Sequence, residues 1–396
     1  KRGAFKSWTV LLAIVAFSLS LLGTFLVRSG VLSSVHAFAT DPRRGLFILA
    51  LLVVAIGGSL ALYAWRAPKV GLGARFELVS RETMLLGNNV MLVVAMATVL
   101  LGTLYPLVLD ALGLGKISVG PPYFDSVFVP VMTPLVFLMG VGPLARWRQA
   151  EVPALARRLR WAAGLTVVAA LLTGWSAGHI SPLATLGFMM SWWIVFAVAT
   201  DLIERVRPAS VNASNLLARL RAVPRTMWGM WLAHLGVAAF AFGVSMVNTY
   251  GIERDVKMEM NDTVEVAGYV FTYRGVRDAQ GPNYQAAQGL VEVTRNGQPV
   301  ATMRPEKRIY RVQQNPMTEA AIDTGFTRDL YVSLGEPVGA NNAWVVRVYF
   351  KPFIDWIWGG CVLMALGGVL AATDRRYRAT SREHERIGVT GTSTAT

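Results

Sequence analysis

The chain alternates between long apolar blocks and short polar connections over most of its length. Eight blocks lie at residues 8–27, 46–65, 85–109, 127–144, 161–177, 183–203, 227–247 and 354–372. Each has about 20 residues, enough to cross ~30 Å of hydrocarbon as a helix. Backbone polar groups cannot stay unpaired in lipid, so helices are the expected form. We therefore predict a mainly α, polytopic membrane helix bundle with about eight transmembrane helices.

The connection between the last two blocks has a different pattern. Residues 248–353 are polar and mixed in charge, and alternating apolar stretches at 264–273, 289–294 and 343–350 predict strands. Asn296-Gly297 between two strands indicates a two-residue hairpin turn, because both positions tolerate positive φ. We predict a small β-rich domain outside the membrane, either a barrel or a sandwich.

These patterns predict four parts of the chain. A membrane domain covers residues 1–247 with spans one to seven, and the β domain covers 248–353. The last span covers 354–375, and residues 376–396 form a tail rich in Ser and Thr that we expect to be disordered.

Composition and charge agree with a membrane protein and predict its orientation. Hydrophobic residues make up 54% of the chain and charged residues only 16%. Lys and Arg are concentrated in the short loops of one side, and cytoplasmic loops retain positive charge during insertion. Both termini are therefore predicted to be cytoplasmic. The net charge of +14 follows from this asymmetry, so we expect no nucleic-acid partner.

His234 is the one ionisable residue that we place inside the spans. Such residues are costly in a bilayer and count as functional candidates. Gly229, Gly236 and Gly243 recur every seven residues around it and leave a strip that a neighbouring helix or a flat ligand can approach closely. A neutral imidazole at this depth is able to ligate a haem iron. A buried histidine bonded to a neighbouring helix is the alternative, and the residues alone leave both open.

Two tryptophans lie one or two turns from His234, at positions 228 and 231. Near the cytoplasmic boundary, Trp228 and Trp231 suit an interfacial aromatic belt. Their closeness to the histidine leaves a role in the wall of a haem site open.

The loop between the first two blocks carries His36 and three arginines, Arg28, Arg43 and Arg44. This loop is predicted to lie on the outward side, where Lys116 is the only other cationic residue in a short loop. If residues 28–38 form a short interfacial helix, Arg28 and His36 lie roughly 80° apart and can share one ligand. The imidazole would bind a haem iron, and the guanidinium groups would pair with its propionates. A solvated loop with snorkelling arginines is the alternative, and it stays open.

Other chemistries have little support in the sequence. No Ser/His/Asp set, phosphate-binding glycine loop or metal-spaced histidine pair is present. The intact spans argue against a transporter, and the single cysteine, Cys361, excludes a disulfide framework.

Four stretches of the chain carry a resemblance to a known family: GTFLVRSGVLSSVHAFATDP at 23–42, LGTLYP at 101–106, GKISVGPPYF at 115–124 and MWLAHLG at 230–236. They resemble the C-terminal part of the cytochrome c-type biogenesis protein CcmF family. The resemblance covers nearly the whole chain to about residue 375.

That resemblance implies a haem lyase of the bacterial inner membrane, with the β domain in the periplasm. Members of the family receive haem from the chaperone holo-CcmE. With CcmH and CcmI type subunits, they attach its vinyl groups to the Cys-x-x-Cys-His thiols of apocytochrome c. Two outward histidines ligate the transferable haem, and two span histidines ligate a permanent haem b. By position His36 matches the second outward histidine and His234 the second span histidine. His36 is therefore the candidate catalytic residue, and Arg28, Arg43, Arg44, Trp231 and Gly236 are candidate haem contacts.

The sequence also departs from the family pattern. The tryptophan-rich motif with its Trp-Trp-Asp core is absent, because Trp192-Trp193 lacks the aspartate and lies within a span. The partner histidine of each pair is missing too. These elements precede this region in the family, so we expect the natural protein to extend upstream of Lys1 or the lyase to be split between chains. The runner-up function is a non-catalytic membrane scaffold that docks the haem carrier and apocytochrome.

Overall fold

The computed structural model describes residues 5–29, 42–70, 76–207, 215–312, 314–339 and 343–374. Within them the chain forms nine α-helices and ten β-strands. The helices are Lys6–Ser29 (α1), Pro42–Val70 (α2), Arg81–Ala111 (α3), Pro121–Val141 (α4), Val152–Ser176 (α5), Pro182–Val206 (α6), Leu216–Ala222 (α7), Arg225–Tyr250 (α8) and Ile354–Ala372 (α9).

Seven helices of the described ranges are long and apolar enough to cross a membrane, so the chain is a multi-pass membrane protein. They are α1 to α4, α6, α8 and α9. Helix α5 covers the predicted block at 161–177 but is not among the seven, because Arg160, Thr166 and other polar or small residues dilute its apolar content. The predicted polytopic helix bundle is confirmed, and the eighth span, at α5, stays a prediction.

The chain divides into two compact units, residues 1–157 and 158–396. In the first unit α1 packs against α2, and α3 packs against α4. Helix α3 begins at a side-chain cap, in which the backbone N–H of Thr83 donates to Ser80 Oγ at 3.1 Å. The buried carboxylate of Glu82 accepts from the backbone N–H of Arg148 at 2.8 Å and ties the loop between α4 and α5 to this helix start.

In the second unit α8 packs between α6 and α9. Ser191 Oγ on α6 donates to the carbonyl oxygen of Ala238 at 2.8 Å. The fully buried ring of Phe188 lies 5.4 Å from the ring of Phe242. Because hydrogen bonds and aromatic packing both join α6 to α8, the rotation of α8 about its axis is fixed on this side.

The β domain follows α8 without a linker and leads directly into α9. Its strands are Ile252–Met258 (β1), Thr263–Val266 (β2), Tyr269–Gln280 (β3), Tyr284–Arg295 (β4), Gln298–Met303 (β5), Glu306–Tyr310 (β6), Pro316–Glu319 (β7), Ala321–Asp323 (β8), Arg328–Val338 (β9) and Ala343–Pro352 (β10). One antiparallel sheet has the order β1-β10-β9-β8, and the other has the order β2-β3-β4-β6-β7 with β5 paired to β4. Fully buried side chains from both sheets, such as Phe271, Val291 and Leu330, form one core. Of the two predicted alternatives, the domain is therefore a sandwich.

Two hairpins test the strand predictions. Asn296 and Gly297 join β4 to β5 with φ of 51° and 74°, which confirms the predicted two-residue turn. The predicted single strand at 264–273 is wrong, because Ala267 and Gly268 turn the chain with φ of 54° and 76° and split the segment into β2 and β3. An alanine at positive φ gives little warning in a sequence, which explains the error.

Tyr273 is a buried polar exception in the sandwich core. Its side chain is fully buried, its hydroxyl has no hydrogen-bond partner within the described residues, and burial raises its pKa to about 12. The unfolded phenol ionises near pH 10, so the stabilising effect of the neutral phenol is present below pH ~10 and is lost as pH rises towards 12. The loss amounts to roughly 2 to 3 kcal/mol.

We expect Tyr273→Phe to keep or slightly raise stability at neutral pH, since no hydrogen bond is broken. The variant should also be less sensitive to alkali between pH ~10 and 12. Denaturant unfolding of the full chain in detergent at several pH values checks this, with Tyr331→Phe in β9 as the control. A variant that is clearly less stable at neutral pH would show that the hydroxyl has a partner.

Candidate functional site

The outward loop with His36 is flanked by two described helices. Arg28 lies in the last turn of α1 and is half-buried. Arg43 and Arg44 lie in the first turn of α2, and α1 packs against α2. Residues 30–41, which include His36, lie outside the described residues. The side chains of Arg43 and Arg44 also lie outside them. Haem contacts by His36 and the three arginines therefore stay predictions.

His234 lies on α8, a little over two turns from the helix start, and its side chain is half-buried. It is two residues from Gly236, so the two lie about 200° apart around the helix axis. The glycine side of α8 faces α9, so His234 lies on the side away from α9. This side is shared by Trp231 and Ala238, which contact α6. His234 therefore lies on the side of α8 that packs against α6.

Trp231 is held in the contact between α6 and α8. Its side chain is only 3% exposed, and its indole N–H donates to Asp201 Oδ2 at 2.9 Å. The ring of Trp228 meets it edge-on, with ring centroids 5.2 Å apart. These contacts make Trp231 a helix-packing residue one turn from His234, and its predicted contact with haem stays a prediction.

Asp201 is a functional candidate that the sequence reasoning missed. It lies in the block at 183–203, so His234 is not the only ionisable residue inside the predicted spans, and that expectation is wrong. The carboxylate is buried, where it accepts from Trp231 and from Arg205 Nε at 3.0 Å. One turn further along α6, Glu204 pairs with Arg158 of α5 through two guanidinium nitrogens. An aspartate inside an apolar block was the signal that would have found this network.

The glycine strip of α8 is covered by a neighbouring helix. A methyl group at Gly236 would lie 2.6 Å from the carbonyl oxygen of Gly360 and 2.7 Å from the backbone nitrogen of Met364, both on α9. At Gly229 a methyl group would lie 2.5 Å from the carbonyl oxygen of Gly367. Of the two alternatives for this strip, a neighbouring helix or a flat ligand, the structure has the helix. On this face Gly236 contacts α9, which leaves no room for haem.

The complementary strip on α9 was also missed. Gly360 and Gly367 are seven residues apart, the same spacing as the glycines of α8, and they meet them in an antiparallel pair. Small residues at this spacing allow two backbones to approach closely in a membrane. Two glycine series of equal period in the last two spans were the available signal.

Known proteins are similar to this chain over nearly its whole length. Residues 249–352 match the family model for the CcmF C-terminal beta-sandwich. The chain is 52% identical over 393 residues to the cytochrome c-type biogenesis protein CcmF of Pseudomonas aeruginosa, and the match covers 99% of this chain and 59% of the relative. It is 48% identical over 380 residues to CcmF of Escherichia coli K12, covering 96% of this chain and 57% of the relative.

The predicted resemblance to the CcmF family is confirmed. A solved structure named cytochrome c heme lyase CcmF matches with a TM-score of 0.72 and covers 94% of this chain and 55% of that one. Its sequence identity is 24%, so this match concerns the fold. The chain spans 59% and 57% of the two CcmF relatives above, which are therefore substantially longer.

Proposed function

We propose that this chain forms the C-terminal part of a CcmF-type haem lyase that attaches haem to apocytochrome c. The observation that carries the proposal is the 52% identity to a CcmF protein along 99% of the chain. That similarity extends through the membrane helices as well as the β-sandwich. The stretch of 393 matched residues is long enough to reach the regions of both candidate histidines, His36 and His234.

The proposed location is the bacterial inner membrane, with both termini in the cytoplasm and the β-sandwich in the periplasm. The distribution of Lys and Arg among the short loops supports this orientation. The sandwich lies between α8 and α9, so it is on the side of the membrane opposite to the start of α8. Apocytochrome c would meet the lyase on that outer side.

The b-type haem is assigned to His234. Support comes from its position within an apolar span, half-buried and directed away from α9, where a neutral imidazole nitrogen can serve as an axial ligand. A haem bound there would supply one-electron transfer. Trp231 acts as a positioning residue, because its hydrogen bond to Asp201 fixes the rotation of α8 and with it the direction of the imidazole. Another protein ligand of the iron would come from the region that precedes this one in CcmF proteins.

The haem to be transferred is the substrate, and His36 is assigned as one of its axial ligands. Arg28, Arg43 and Arg44 would pair with its propionates, since guanidinium groups suit carboxylates. In the reaction each vinyl group takes up one cysteine thiol of apocytochrome c. A sulfur–carbon bond forms, the vinyl double bond becomes single, and the thiol proton moves to the neighbouring carbon. The reaction is an addition that consumes neither an oxidant nor a reductant, and the haem itself supplies the reactive vinyl groups. The protein would therefore contribute the orientation of the reactants and keep the iron reduced.

Holo-CcmE as haem donor and CcmH and CcmI type subunits as partners are part of the same proposal. Each would act at the outer face, where the proposal places His36. Membrane lipid surrounds the spans.

The proposal is tested by His36→Ala in the full-length protein. We expect loss of at least nine-tenths of covalently haem-stained cytochrome c, because the substrate iron loses an axial ligand, while the b-type absorbance is kept. The measurement combines haem staining of denatured cytochrome c with the reduced absorption spectrum of the purified lyase. His384→Ala, the same change in the charged tail, is the control.

Normal cytochrome c yield from the His36→Ala protein would refute the assignment of His36. The lyase proposal itself is tested with the purified protein, haem, reductant and apocytochrome c. If the unaltered protein forms no thioether product under these conditions, the chain belongs to a scaffold that docks the reactants.

A further inference from the structure

A cavity of about 470 Å³ lies where α8 passes into the β-sandwich, and His234 is not among the residues that line it. Its walls come from the end of α8, the turn after α5, the β2–β3 turn, the end of β4 and the start of β9. Arg295 and His179 are exposed at its edge, Tyr269 and Met246 are buried in it, and Arg328 lines it from β9. A cavity of this size is within the range that small-molecule groups occupy.

Two arginines converge on one tyrosine in this cavity. Arg295 Nη1 donates to Tyr269 Oη at 3.1 Å, and Arg328 Nε donates to the same oxygen at 3.2 Å. Both guanidinium groups also lie near the ring, with their Cζ atoms 4.8 Å and 5.3 Å from its centre. The two donor nitrogens are therefore within about 6 Å of each other. Like charges this close repel, and an anion between them would stabilise both.

Only part of this positive charge is balanced by the protein. Arg328 pairs with Asp323 at 2.6 Å, and Arg295 makes no ion pair within the described residues. No Asp or Glu is among the described residues that line the cavity, whereas His179 adds a third basic side chain. The cavity therefore offers donors for an anion, and guanidinium groups bind phosphate oxygens particularly well.

The position of the cavity favours a lipid as the source of the anion. Tyr250 ends one membrane helix and Phe353 precedes another, and both line the cavity. This places it at the level where lipid headgroups meet water. Beside it, Phe326 is 77% exposed and packs on Trp356, whose indole N–H donates to the carbonyl oxygen of Phe326 at 3.0 Å. Aromatic side chains of this kind anchor proteins at the membrane interface.

We infer that this cavity binds the phosphate headgroup of an anionic phospholipid from the leaflet on the sandwich side. Arg295 and Arg328 hold the phosphate oxygens, and Met246 and Phe353 contact the less polar part of the lipid. The bound lipid fixes the junction between the sandwich and α8. This inference does not depend on haem chemistry, since it requires only that α8 and α9 cross the membrane.

The test titrates phosphatidylglycerol into the detergent-solubilised full-length protein and counts bound lipids by native mass spectrometry. We expect one phosphatidylglycerol to bind more tightly than phosphatidylcholine. Arg295→Gln should weaken phosphatidylglycerol binding about tenfold by removing a charge-assisted hydrogen bond. The control is Arg277→Gln, which removes an arginine of β3 that is bonded to neutral Gln288 and does not line the cavity.

A second pair of variants does not depend on the arginines. Thr327 is an exposed residue at the cavity, so Thr327→Glu should weaken phosphatidylglycerol binding by charge repulsion while Thr327→Gln should not. A third arm adds inorganic phosphate. If phosphate displaces the lipid at equal concentration, the site takes a soluble anion and the lipid assignment fails. Equal binding of both lipids, or equal effects of the Glu and Gln variants, would overturn the proposal.

Discussion

Replacing His234 by alanine in the full-length protein is expected to abolish the b-type haem signal. The imidazole is the iron ligand that this chain supplies in our proposal, so the substitution removes one of the bonds that would hold the haem. We expect less than one-tenth of the normal reduced absorbance in the purified protein. Cytochrome c yield should fall with it, because the iron to be transferred would no longer be kept reduced.

Two controls separate ligation from packing. His234→Gln keeps most of the side-chain volume and a hydrogen-bonding group, so it should lose haem as the alanine variant does while keeping thermal stability. Added imidazole should restore part of the signal in the alanine variant, since it enters the space left by the side chain. An undiminished b-type signal together with full cytochrome c yield would show that His234 is not a haem ligand.

Gly360→Ala is expected to separate α8 from α9, whereas Gly359→Ala next to it is not. A methyl group at Gly360 would lie 2.6 Å from the carbonyl oxygen of Gly236 and 2.7 Å from the backbone nitrogen of Phe240. Both are backbone atoms of a packed helix, so the helices must move apart, at a cost of about 1 to 3 kcal/mol or more. A methyl group at Gly359 meets nothing within 4 Å, and alanine favours the helix by up to about 1 kcal/mol.

Thermal unfolding of the two variants in detergent checks this contrast. The Gly360→Ala protein should unfold several degrees lower than the unaltered protein and also bind less b-type haem, because α8 carries His234. The Gly359→Ala protein should match or exceed the unaltered protein. Equal melting temperatures for both variants would contradict the close backbone packing of α8 and α9.

The hydrophobic pattern predicted most of the architecture, because burial in lipid and in a sheet each impose a simple period. The apolar blocks became helices, and Asn296-Gly297 turns the chain as predicted. The pattern failed where a local backbone conformation overrode the alternation. Ala267 at positive φ ends a strand that the alternation continued, so residues 264–273 form two strands.

The candidate site was predicted less completely than the fold. The sequence pointed to His234 and to the glycines of α8, but it left open whether a helix or a ligand covers them. That choice depends on α9, more than a hundred residues later, whose Gly360 and Gly367 fill the strip. Asp201 was missed although a carboxylate in an apolar block is a sequence signal, and the structure identifies its partner as Trp231 on another helix. His36 lies outside the described residues, and its assignment rests on family resemblance.

The direct joining of helices to strands makes the sandwich a domain inserted into a helical hairpin. Ile252 pairs with Phe350 at the first register position of β1 and β10, so the two ends of the inserted domain lie side by side. Below them α8 and α9 continue as a packed antiparallel pair. An insertion with adjacent ends can be gained or lost without rearranging its host. The last two spans therefore form a hairpin that a short turn between Tyr250 and Ile354 would close.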